Sequence, residues 1–291
     1  MDERLTGIIE STEPEQLGTG FEFTEGPLWY SAGYWLFVDI RTSRIYKLVP
    51  GGSPEVIREN SDQANGLTFD VQGRLLMCEM ESRQLNRWED DGSFTTVFNR
   101  WNDKRLNRPN DVICASDGSI YFTDPGLRME PHEKEQTFSG VYRIGPDGAL
   151  GPIITDLEFP NGLALSPDER TLYVANSRPS MFIKAYDLRP TGSVANGRVF
   201  ADLTLDGQEG VPDGMKVDME GRVYSTGPGG CWVFSSSGEH IGTIVLPEIP
   251  ANCAFGGHDY KTLFFTARTG CLLYTSDAAD ERSSVDLGGR R

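Results

Sequence analysis

The chain has 291 residues, 38% of them hydrophobic, with a net charge of −16 and a pI near 4.6. That length suits one large domain. The acidity argues against nucleic acid or an anionic membrane surface as partner, because phosphate recognition needs a basic footprint.

The first ten residues, MDERLTGIIE, carry neither a basic n-region nor an apolar h-region. A signal peptide is therefore not expected, and a cytoplasmic location is. No apolar run approaches a membrane span. Residues 5–23 are expected to form one or more strands. Beyond them a pattern recurs, each time opened by a polar residue: Glu25-Gly26-Pro27-Leu28-Trp29, Asn65-Gly66-Leu67-Thr68-Phe69, Asn110-Asp111-Val112-Ile113, Asn161-Gly162-Leu163-Ala164-Leu165, Asp213-Gly214-Met215-Lys216-Val217 and Asn252-Cys253-Ala254-Phe255. The heads, at 25, 65, 110, 161, 213 and 252, are 40, 45, 51, 52 and 39 residues apart.

Most heads lead into a turn, such as Asp70–Gly73, Ser116–Gly118 or Asp218–Gly221, and then a short apolar run such as Ile120-Tyr121-Phe122 or Val223-Tyr224-Ser225. These runs are too short for helices and are bounded by turn residues. No long amphipathic helix is evident. Several short strands per unit at this period predict an all-β fold, a six-bladed β-propeller. The blades are expected near 25–60, 61–103, 104–156, 157–206, 207–248 and from 249 onward. A charged insertion, Gly126–Ser139, is expected as a surface loop at blade three. A closed propeller must also protect its last sheet edge, and Thr6–Glu10 is the expected closing strand.

Five cysteines, Cys78, Cys114, Cys231, Cys253 and Cys271, are widely spaced and form no CxxC. Free, buried thiols in a reducing compartment fit this usage. The C-terminus, CLLYTSDAADERSSVDLGGRR, breaks the pattern. It resembles the conceptual translation of a transposase-type sequencing adapter. The expected division is a propeller over 1–270, its last blade short of a strand of its own, and a non-native tail over 271–291. Leu272–Thr275 is apolar and β-prone enough to fill that place.

In a propeller the innermost strand of each blade lines the central channel, so the heads should converge at one mouth. Asn-Gly and Asp-Gly also form turns, but six heads in register point to a site. Glu25, Asn161, Asp213 and Asn110 offer two carboxylates and two amide carbonyls, which suit a hard divalent cation such as calcium. Zinc would favour His or Cys, and none of His132, His240 and His258 lies at a head. A cation with open positions polarises a carbonyl and acidifies a bound water. Both effects suit hydrolysis of an ester or lactone. Asp213 is then ligand, or ligand and general base, and Arg108 is placed to bind a polyhydroxyl or anionic substrate.

Phe23–Trp29, Arg108-Pro109-Asn110-Asp111-Val112, Phe122-Thr123-Asp124-Pro125, Phe159-Pro160-Asn161-Gly162-Leu163 and Pro212-Asp213-Gly214-Met215 together resemble the SMP-30/gluconolactonase/LRE family, most of all its microbial gluconolactonase branch. The likeness runs from about Gly7 to Gly270. It implies a six-bladed propeller with a divalent metal in the channel, calcium first, with zinc, magnesium or manganese as alternatives. It also implies a small-molecule lactone as substrate. By motif, Glu25, Asn161 and Asp213 match metal ligands, Asp213 also matching the proposed general base. Asn110 matches a residue touching metal or substrate, and Arg108 matches a substrate-contacting arginine. Asn65 and Asn252 have weaker counterparts and are read as channel lining, with Asn65 within reach of substrate. The leading expectation is calcium-dependent hydrolysis of a sugar-acid lactone. The alternatives are an organophosphate-type hydrolase on the same metal and a non-catalytic propeller with structural calcium.

Overall fold

The computed structural model describes residues 3–10, 13–205 and 207–276. Six four-stranded antiparallel sheets account for the repeats, with one additional two-stranded hairpin, Arg100–Trp101 with Lys104–Arg105. The innermost strands are Thr24–Tyr30, Ala64–Phe69, Val112–Cys114, Pro160–Leu165, Met215–Val217 and Pro250–Gly256. Each contacts the next, and the last contacts the first, so the circle is closed as a six-bladed propeller. Apolar clusters fill the seams between blades. Met215, Val217 and Phe234 of blade five pack with Tyr173 and Ala185 of blade four. Trp29 and Trp35 of blade one pack with Ala254 and Phe264 of blade six.

The insertion lies between the second and third strands of blade three, includes a short 3-10 turn at Pro131–Glu133, and covers the Asn107–Arg108 segment. No helix among the described residues is long and apolar enough to cross a membrane.

The last blade closes differently from the expectation. Its sheet order is Glu15–Thr19, Gly270–Thr275, Thr262–Ala267, Pro250–Gly256, so the N-terminal strand is Glu15–Thr19 and not Thr6–Glu10. The earlier segment cannot run as a strand because Glu3–Leu5 is a 3-10 turn and the N–H groups of Ile8 and Ile9 both donate to the Leu5 carbonyl, at 2.9 and 3.0 Å. The segment meets the sheet only at its end, through an isolated bridge from Ile9 to Ser276 and the Glu10 N–H donating to the Thr275 carbonyl. Leu5, Ile8 and Ile9 are instead buried against blades five and six.

The third strand of that blade is Gly270–Thr275, so the blade has four strands and the sheet continues past the boundary expected at 270. Leu272 and Tyr274 are buried in the same core. The rest of the expected tail, 277–291, lies outside the described residues. Thr24 locks the first blade to the last: its hydroxyl donates to the Ala267 and Gly270 carbonyls, at 2.8 and 3.0 Å, and accepts the Ala267 N–H at 2.9 Å.

Candidate metal and active site

The heads are aimed by the strands that carry them. Antiparallel pairing is interrupted between Glu25 and Leu28, Ala64 and Leu67, Pro160 and Leu163, and Pro250 and Asn252. An irregularity of this kind bends the strand and re-aims a side chain. The run into three of the heads, Glu25, Asn110 and Asn161, is tied down by a buried polar residue ending the blade's second strand. Asp39 accepts the N–H groups of Glu22 and Phe23, Asp124 that of Asn107, and Asn176 that of Phe159. Burial pushes Asp124 up to about 7, against the donation it receives from Asn107 and Arg108.

The glycine after a head is required by the neighbouring blade. Gly66 donates its N–H to the Asn110 carbonyl at 2.7 Å, and Gly162 to the Asp213 carbonyl at 3.1 Å. A Cβ at Gly162 would overlap that Asp213 oxygen, and one at Gly214 would overlap the Asn252 amide. The Asn-Gly pairs lie inside strands, so close approach between blades explains them, and the turn reading does not. Gly162→Ala should therefore cost about 1–3 kcal/mol, the range for overpacking. Thermal melts with and without calcium should show a lower midpoint and a smaller calcium-induced rise.

Contacts run around the ring. Asn252 Nδ2 donates to Glu25 Oε2 at 2.9 Å, and Asn65 Nδ2 to Asn110 Oδ1 at 2.7 Å. Asn161 hydrogen-bonds Asp213 and donates Nδ2 to Ser177 Oγ at 2.9 Å. Ser177 Oγ in turn donates to the Pro212 carbonyl at 2.5 Å. Glu25, Asn65, Asn110, Asn161 and Asn252 are buried, whereas Asp213 is reached by solvent. Arg108, half-buried, donates Nη1 to the Leu127 carbonyl at 3.2 Å at the edge of the head region.

The ring is electrostatically loaded. Burial pushes Glu25 up to about 7; the Asp111 charge adds to this, while donation from Gly26 and Asn252 and the Lys216 charge oppose it. Burial holds Asp213 well above the carboxylate range, with Glu25 and Asp111 adding to it and Arg178 and Asn161 opposing. Buried, mutually repelling carboxylates are the signature of a place for a cation. The Asn161 carbonyl oxygen is also buried without a hydrogen-bond partner. Hard oxygens of this kind fit calcium. Among the described residues, no group of three or more His, Cys, Asp and Glu side chains is spaced to hold a metal ion, so amide oxygens have to complete the set.

Three residues of the ring escaped the sequence reading. Asp111 stands where four of the six heads carry glycine, and that departure was the available signal. Lys216 is the one charged residue three positions after a head, and Ser177 had no such mark. Asn252, read as lining, is a donor to Glu25. A cavity of about 460 Å³ occupies the other half of the channel, walled by the trailing halves of the inner strands and including none of the heads.

Residues 23–269 match the SMP-30/Gluconolactonase/LRE-like region. The chain is 32% identical over 291 residues to the gluconolactonase of Zymomonas mobilis subsp. mobilis, covering 91% of this chain and 82% of that protein. It is 28% identical to the pentonolactonase XacC of Haloferax volcanii, covering 93% of this chain and 90% of that one. The gluconolactonase XC5397 of Xanthomonas campestris superposes with a TM-score of 0.86 at 32% identity, over 95% of this chain and 93% of the other.

Proposed function

The chain belongs to the SMP-30/gluconolactonase/LRE-like family, and from that premise we propose that it hydrolyses a sugar-acid lactone with the help of a divalent cation, calcium first. The observation that carries this reading is the loaded ring: two head carboxylates raised by burial and by each other, beside an Asn161 oxygen with no partner. Glu25, Asp213, Asn161 and Asn110 are the residues that would hold the cation. Once bound, it supplies polarisation of a lactone carbonyl and acidification of a water.

The chain's own residues do the rest. Asp213, the half-buried ring carboxylate, takes a proton from the attacking water. Water oxygen adds to the carbonyl carbon, the ring C–O bond breaks, and the leaving oxygen takes up a proton to give the hydroxy acid. Asn65 fixes the Asn110 amide by donating to it, and also faces the substrate. Arg108 binds substrate hydroxyls at the edge of the mouth. All five cysteines are buried and free, which supports the reducing cytoplasm as location.

The test is acid release from glucono-1,5-lactone with calcium and then with excess EDTA, corrected for spontaneous opening. Catalysis lost in EDTA and restored by calcium is expected; catalysis unchanged by EDTA would overturn the metal. A pH dependence also follows. Glu25 must be ionised to ligate, and its folded value lies near 7, so protons compete with the cation below that pH. Calcium affinity should weaken as pH falls through neutrality, by up to about tenfold per pH unit and per proton. Calorimetry from pH 5 to 8 checks this; an affinity independent of pH would overturn the competition between protons and the cation at Glu25.

A further inference from the structure

We propose that Arg83 is a positioning residue for substrate binding: from blade two it ties the run 105–108 to the insertion Gly126–Ser139, and so holds Arg108 at the edge of the mouth. This rests on the reading above that Arg108 binds substrate hydroxyls.

The repeat shows what the position does. Arg83 lies in the turn between the second and third strands of blade two, Leu75–Glu79 and Gln84–Trp88. Its counterpart in blade one is Ser43, in the turn between Tyr34–Asp39 and Arg44–Leu48. Both have left-handed backbones, with φ of 60° and 53°. Ser43 holds the run into the next head. Its carbonyl accepts the Ser61 N–H at 2.9 Å, and its hydroxyl accepts the Gln63 N–H at 3.1 Å. Arg83 does the same for the head that follows it, over a longer span. Its Nε donates to the Leu106 carbonyl at 2.6 Å.

An arginine can also do what the serine cannot, because its planar fork reaches a second partner. Nη1 donates to the Glu133 carbonyl at 3.4 Å and lies 3.7 Å from Glu135 Oε1, both in the insertion. The other oxygen of Glu135 accepts the Arg105 N–H at 2.7 Å, and Arg105 Nη2 donates back to the Ser82 carbonyl at 3.1 Å. Arg83 is no solvated surface charge. Its side chain is 12% exposed, and Nη2 is buried without a hydrogen-bond partner.

Every residue of the run is thus engaged. Arg105 and Leu106 meet Glu135 and Arg83, the Asn107 amide donates to the Phe138 carbonyl at 3.0 Å, and Arg108 donates to the Leu127 carbonyl. Arg108 therefore takes its place from an insertion that Arg83 ties to blade two. Releasing the tie should misplace the guanidinium. Asn110 is held separately, its N–H donating to the Thr123 carbonyl at 2.8 Å, so the heads should stay in place.

The experiment is steady-state acid release from glucono-1,5-lactone by the full chain in saturating calcium, corrected for spontaneous opening, with melting temperatures alongside. Arg108→Met should raise KM about tenfold or more, the loss of a charge-assisted hydrogen bond. Arg83→Met should raise KM about tenfold as well, with kcat within about twofold of the wild type. The double variant should be no worse than Arg108→Met alone, since Arg83 acts through Arg108. A purely structural loss would look different: a lower melting temperature and a smaller active fraction would lower apparent kcat at unchanged KM. Arg83→Lys should share most of the rise, because one ammonium does not span both carbonyls.

A raised KM in Arg83→Met that disappears in the Arg108→Met background supports the proposal. An unchanged KM in Arg83→Met, or a further full rise in the double variant, overturns it while leaving Arg108 as a substrate contact. Should Arg83→Met not fold, an unchanged KM in Arg83→Lys overturns it equally. An unchanged KM in Arg108→Met overturns both the proposal and the reading beneath it.

Discussion

Asp213→Asn should lower lactone hydrolysis by about 10³-fold or more, a loss typical of removing a general base, and remove the calcium-induced rise in melting temperature. The same variant should melt higher than the wild type in EDTA at neutral pH. Asparagine keeps the size of the side chain and removes one of three mutually repelling carboxylates. The sign follows from the folded-state value. Asp213 is raised by burial and by Glu25 and Asp111. A group so raised favours the folded state below its unfolded value near 3.9 and loses that contribution as pH climbs through the folded one. The advantage of asparagine in EDTA should therefore grow with pH above 4 and vanish in stronger acid. An Asp213→Asn protein with full turnover, or one that melts lower in EDTA at every pH, would remove Asp213 from the role given to it.

Deletion of residues 1–12 should lower the melting temperature by about 10 °C or more while leaving Glu15–Thr19 to pair. Leu5, Ile8 and Ile9 are 0%, 8% and 4% exposed and lie in the core with Tyr224, Phe255 and Tyr274. Burying such side chains contributes about 2 kcal/mol each, and each kcal/mol corresponds to roughly 2–4 °C in a domain of this size class. Glu10 N–H also donates to the Thr275 carbonyl at 3.1 Å, so one hydrogen bond to the last described strand is lost as well. Deleting residues 1–20 removes the edge strand itself and should yield no soluble folded chain. Unchanged melting after removal of 1–12 would mean that this hydrophobic anchor is dispensable.

The propeller was legible because the head is a local pattern repeated six times. Polar residue, small residue, apolar strand and turn recur at a spacing that suits a propeller blade, and the apolar runs are too short for the helices of a helical repeat. The six heads were legible for the same reason, since a head is defined within one blade. The closing strand was misplaced because Glu15–Thr19 is a weak edge, largely exposed, with Leu17 its one large apolar residue. The Ile8–Ile9 pair reads as the better strand, yet it serves the core by packing. Asp111 and Ser177 make contacts with a neighbouring blade that the repeat does not specify. Asp111 backs onto Gly66, and Ser177 joins Asn161 to the Pro212 carbonyl. Contacts between chain segments this far apart show in the sequence at most as a departure from the repeat, as at Asp111, without naming the partner.

The pairing of Glu15–Thr19 with Gly270–Thr275 also sets a timetable for synthesis. The first strand to leave the ribosome waits for nearly the last one before its backbone groups are satisfied. Blades one to five can form in order as they emerge, at roughly 5–20 residues per second. For about 15–50 s at those rates, the nascent chain carries an unpaired N-terminal edge. Holdase chaperones that recognise exposed strands would have their longest opportunity there, and a ribosome stalled short of Gly270 would release an open ring.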